Sequence, residues 1–152
     1  MAVFMILSFI IALTPASATV TDPTFIYGTP PTSGHILLTL DNSKNTADAV
    51  AAVTMSGRTE ALYAIYIPRG DVGSIKNMSV GRYDVFFTKG VDWDSMNRTF
   101  QDGTYFKFSS PTLLTGSENQ TTLTLFDIKG ESSIIKTIDT NGFPKMKPYS
   151  PN

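Results

Sequence analysis

The chain of 152 residues contains no cysteine, which excludes a disulfide framework, thiolate metal ligation and thiol redox chemistry. Stability must therefore come from packing. There is one histidine, His35, at a strand start beside Gly34, with no nucleophile signature around it. A Ser-His-Asp arrangement and a His/Cys metal site are both without support from spacing. Charge is sparse and balanced, with 12 Lys and Arg against 13 Asp and Glu, and the basic residues are scattered singly. That removes the basic stripe expected of a nucleic-acid binder. No glycine-rich phosphate loop opens a helical pattern, and no Lys or Arg precedes Lys44. These absences point away from an enzyme and leave no cofactor implied.

What is present is a run of short apolar stretches rich in Ser, Thr and aromatics, separated by Gly, Pro and Asn. This is the pattern of strands joined by turns. Candidate strands fall at residues 35–40, 61–67, 72–76, 82–88, 104–108, 112–115, 121–128 and 132–138. Residues 49–55 are apolar and alanine-rich, consistent with either a strand or a short helix. Turns at roughly 8–12-residue spacing predict an all-β fold, an antiparallel β-sandwich of immunoglobulin-like type.

Residues 80–100 are the densest stretch. Alternation over 82–88 directs Tyr83, Val85 and Phe87 one way and Phe86 the other. Tyr83, Val85 and Phe87 are expected core anchors, together with Leu123 and Leu125 from a later strand and Trp93 as a plug at the end of the core. Gly90 reads as a break, followed by a loop over residues 92–97.

At the amino terminus, residues 1–18 hold an apolar run, Pro15 and a small-x-small site ending at Ala18. That is the pattern of a secretory signal peptide cleaved after Ala18. The other reading is an apolar helix that is kept, the only part of the chain with the character to meet a membrane or to pack between copies. Residues 19–34 read as a Pro/Thr-rich linker, 35–144 as the sandwich domain, and 145–152 as an extended tail.

Asn77-Met78-Ser79, Asn97-Arg98-Thr99 and Asn119-Gln120-Thr121 are three N-x-Ser/Thr sequons, each in an expected turn. They make Asn77, Asn97 and Asn119 candidate attachment points for N-linked glycans. Asp92, Asp94, Asn97 and Asp102 offer oxygens for calcium, but their spacing is not that of an EF-hand loop. The competing reading is that these side chains cap turns by bonding to backbone.

The order of features across residues 61–144 resembles a known module. A strand with Tyr63 and Tyr66 is followed by a Pro/Gly turn and Gly81-x-Tyr83. Then come Gly90-x-Asp92-Trp93-Asp94, Phe100, Tyr105-Phe106-x-Phe108, a Thr/Leu strand and Gly142-Phe143-Pro144. It is similar in style to carboxypeptidase-regulatory-like and other immunoglobulin-like sandwich domains of exported and surface proteins in bacteria and archaea. The resemblance implies a non-catalytic spacer, adhesive unit or building block. The expectation is a secreted or cell-surface structural protein engaging protein partners or itself. An extracellular filament subunit with a retained amino terminus is the alternative, and a calcium- or carbohydrate-binding module stands behind both.

Overall fold

The computed structural model describes residues 23–126 and 134–147. The signal-peptide stretch with Ala18, the last part of the 121–128 strand, residues 132–133 and the final residues of the tail lie outside the described residues.

The described residues are all-β, in two sheets. The larger contains β1 (Thr24–Tyr27), β3 (Asp48–Met55), β4 (Tyr63–Ile67), β6 (Gly81–Asp94), β7 (Thr99–Phe108), β8 (Thr112–Leu114) and β10 (Ile135–Ile138). Its order is β1-β4-β3-β6-β7-β10, antiparallel throughout, with β8 paired to the start of β6. The smaller sheet is β5 (Val72–Met78), β2 (Ile36–Asp41) and β9 (Gln120–Thr124), in the order β5-β2-β9. A single turn of 3-10 helix at Thr140–Gly142 follows β10.

The two sheets enclose one core. Ile36, Leu38 and Leu40 alternate inward from β2 and meet Ala49, Ala51, Val53, Ile65, Ile67, Tyr83, Val85 and Phe87 of the large sheet. Tyr83, Val85, Phe87 and Leu125 are buried, while Leu123 is half-buried against the same core. Among the described residues Phe87 is the largest fully buried side chain, and it stacks on Phe106 with ring centroids 4.8 Å apart. Asn42, fully buried at the end of β2, donates its amide to the carbonyls of Ala47, Ile67 and Pro68. It thereby ties the small sheet to the edges of β3 and β4, in keeping with the rule that buried polar groups are paired.

The antiparallel expectation needs correcting at one pair, because β9 runs parallel to β2. The chain reaches β9 after crossing from the large sheet, and enters at the end where β2 begins: the Leu37 N–H donates to the Asn119 carbonyl at 2.9 Å. Strand direction leaves no mark on alternation, so parallel pairing was invisible in the residues. Residues 49–55 form a strand, not a helix. β3 is central, with Ala49, Ala51 and Val53 facing the inter-sheet core and Val50 and Ala52 facing a second cluster, so the apolar run is unbroken because both faces are covered. The stretch read as a linker contributes β1, whose Phe25 packs against the core and edge-on to Tyr63.

The expected break at Gly90 is also corrected. β6 continues through it to Asp94, and Trp93 lies in the strand. Glycine is needed there for room: a Cβ on Gly90 would lie 2.4 Å from Phe100 Cβ across the ladder. The register shows how the hairpin stays paired, running Lys89↔Thr104, Val91↔Gln101 and Trp93↔Phe100. An extra residue on β7 is followed by an extra residue on β6, so the two bulges cancel. Asp102 (φ 54) and Asp92 (φ 51) occupy them in the left-handed conformation, which short polar side chains tolerate better than most.

Candidate functional site

The outer face of the large sheet carries the second cluster. Val50, Ala52, Ala61, Ala64, Tyr66 and Phe100 are its buried members. Residues 143–147 lie over this face as a strap. The Lys145 N–H donates to the Thr59 carbonyl at 2.9 Å, and the Lys145 carbonyl accepts from the Ala61 N–H at 3.0 Å. Phe143 sits edge-on to Phe86 and Tyr105, at centroid distances of 6.4 and 5.3 Å.

The tip of the β6–β7 hairpin leans on this strap. Arg98, held at φ 53, donates through Nη1 to the carbonyls of Met146 and Lys147 at 2.9 and 2.8 Å. Its guanidinium also lies 5.2 Å from the Tyr27 ring centroid, close enough for cation–π attraction. Within the tip, Asp94 Oδ1 accepts the N–H groups of Met96 and Asn97, and Oδ2 accepts the Asn97 side-chain amide at 2.7 Å. Those bonds, the Asn97 N–H foremost, hold the Asp94 carboxyl below its ordinary range.

Between tip and strap lies a groove of about 560 Å³ lined by residues 95–99, Tyr105, Thr140 and residues 143–146. Met96 is 92% exposed at its rim. The groove has apolar walls and a few polar groups fixed by the turn, a combination suited to holding a ligand or a partner.

The expected site residues are distributed as follows. Asn97 lines the groove and is brought together with Asp94. Asp92 and Asp102 are exposed bulge residues. Among the described residues no three His, Cys, Asp or Glu side chains gather in a way that could hold a metal ion. The turn-capping reading accounts for both oxygens of Asp94. Trp93 is half-buried on the outer face, edge-on to Phe100 at 4.9 Å, and not in the inter-sheet core. Asn77 is exposed but lies within β5, at φ 58, and not in the expected turn; Asn119 is exposed in the bend before β9, and His35 is exposed just before β2.

Sequence reasoning missed Arg98, Tyr27 and Met146 as parts of one site. Phe143-Pro144 was visible as a motif, but its role as a strap depends on pairing with residues 59–61 across the fold. No family model, no curated protein and no solved structure matches the chain.

Proposed function

We propose that the protein is an exported, non-catalytic β-sandwich of immunoglobulin-like style that serves as a structural or adhesive unit at a cell surface, making contact through the hairpin–strap groove. The observation that carries this reading is the pinned hairpin tip, which presents Met96 beside Asn97, Tyr105 and Phe143. A tip fixed by Asp94 on one side and Arg98 on the other loses little conformational freedom on binding. Methionine at its rim adapts to varied apolar partners. Export is supported by the apolar run and small-x-small site of residues 1–18.

The test pairs two measurements. Amino-terminal sequencing of the native protein from the cell exterior is expected to start at Thr19. A start near Met1 in a high-mass assembly would favour the filament subunit instead, and retention in the cytoplasm would sink both. Binding of the labelled protein to its own cells is expected to fall at least tenfold for Met96→Glu and to be unchanged for Leu113→Glu, which alters an exposed residue outside the groove. Equal binding by both variants would show that the groove is not the contact.

A further inference from the structure

We propose that Asn77 and Asn119 are N-glycan acceptors while Asn97 stays unmodified, so that sugar crowns one end of the sandwich and leaves the hairpin end bare. The proposal rests on the export reading, because the transfer takes place in an exporting compartment.

Register places the first two asparagines together. Asn77 is next to Met78, which pairs with Ile36, and its carbonyl accepts from the Gly34 N–H at 3.0 Å. The Asn119 carbonyl accepts from the Leu37 N–H at 2.9 Å, on the other edge of the same strand. The two residues therefore flank the start of β2, with their bonds made by backbone. Both are exposed, and among the described residues neither side-chain amide has a hydrogen-bond partner. β3 pairs antiparallel with β6, matching Met55 to Tyr83 and Asp48 to Gly90, so Asn97, beyond Asp94, projects from the opposite end.

Asn97 differs chemically. Its Nδ2 is committed to Asp94 at 2.7 Å, and the hydroxyl of its sequon, Thr99 Oγ1, pairs with the Tyr105 hydroxyl at 2.9 Å. Timing reinforces the distinction. A hairpin closes in about 1–10 μs, whereas synthesis delivers about 5–20 residues per second. The Asn97 sequon is thus folded into its turn once β7 emerges. Asn77 and Asn119 lie against β2, with backbone bonds to residues 34 and 37 far back in the chain, and not within a local hairpin.

In the transfer, the asparagine Nδ2 forms a bond to the anomeric carbon of a lipid-pyrophosphate-linked oligosaccharide. The bond from that carbon to the pyrophosphate oxygen breaks, the pyrophosphate leaves with the electron pair, and a base of the transferase takes the amide proton.

The test expresses the full chain in a eukaryotic secretory cell, once with its own amino terminus and once behind a leader of known competence. Intact mass is read before and after peptide N-glycosidase. Two glycans are expected. Asn77→Gln and Asn119→Gln should each remove one, as should Ser79→Ala and Thr121→Ala, which keep the asparagines. Asn97→Gln should change nothing. A glycan at Asn97, or a bare Asn77 or Asn119 in secreted protein, overturns the proposal. If only the chain behind the added leader is secreted, and it carries two glycans, the export reading fails and the glycan assignment stands.

Discussion

The two faces of the large sheet are closed by different means. The inner face meets a whole second sheet, and its contacts are large aliphatic and aromatic side chains: Leu38, Ile75 and Phe87 are all at most 1% exposed. The outer face is closed by a strap of a few residues, and beneath it Ala52, Ala61 and Ala64 are buried beside Val50, Tyr66 and Phe100. It also holds the hydroxyls of Thr54 and Thr88, buried and without a hydrogen-bond partner among the described residues, and the Asp84–Lys107 ion pair at 3.3 Å. The inner face is where the fold gets its stability. The outer face has the thinner cover, and the groove lies on that side. The strap that seals it also makes one wall of the groove.

Substitutions on each face sharpen this contrast. Phe87→Ala should destabilise by about 3–5 kcal/mol, the cost of removing a fully buried aromatic and leaving a cavity, read from denaturant melts. Phe143→Ala should cost less, about 1–2 kcal/mol, since the ring is half-buried and loses two edge-on partners. Its signature should be local: faster amide exchange at Ala61 and Lys145, with the Leu38 and Val85 amides protected as in the parent. If Phe143→Ala costs as much as Phe87→Ala, or loosens the β2 and β6 amides equally, the strap belongs to the main core and the contrast fails.

Much of the inner face could be read from the residues, and little of the outer. The Tyr83-Val85-Phe87 alternation is a local statement about which side is wet, and period two carries it directly. The groove arises from distant segments, residues 95–99, Tyr105, Thr140 and residues 143–146, drawn together by an arginine bonding to backbone carbonyls. Carbonyls are the same at every residue, so such a partner has no sequence mark. Gly90 shows the same limit at a single residue. Glycine between apolar runs signals a turn on average, but here it makes room for Phe100 on the neighbouring strand, and only the pairing reveals that. The candidate loop was half legible: Asp94 and Asn97 do sit together, but as a turn cap.

The outer face also titrates. Tyr66, 4% exposed, donates its hydroxyl to Asp48 Oδ2 at 2.6 Å. Burial, then the bond to Asp48, raises its pKa well above the ordinary tyrosine value. The folded chain therefore holds this proton more tightly than the unfolded one does. The stability from that difference is full below pH about 10 and is lost as pH rises above it. Melting temperature should fall through this alkaline window, and Tyr66→Phe should flatten the fall. An equal alkaline slope in the two proteins would place the sensitivity elsewhere.

The smallest effect belongs to the hairpin tip. Asp94 makes its bonds at the solvent-facing tip, yet its carboxyl is held below the ordinary range by the Asn97 N–H, the Asn97 amide and the Met96 N–H. A lowered folded value means that the contribution is present above the unfolded carboxylate pKa of about 3.9 and disappears as pH falls through the folded one. Global melting should scarcely register this, because an exposed cap is well screened. NMR titration should: the Met96 and Asn97 amide signals are expected to move together with a midpoint below the usual aspartate value, and Asp94→Ala should abolish the shared inflection. The same variant should lower binding through the groove, because Met96 and Asn97 would no longer be held in one geometry. A normal midpoint would mean that the tip is not fixed by Asp94, and the pinned hairpin behind the functional proposal would then depend on Arg98 alone.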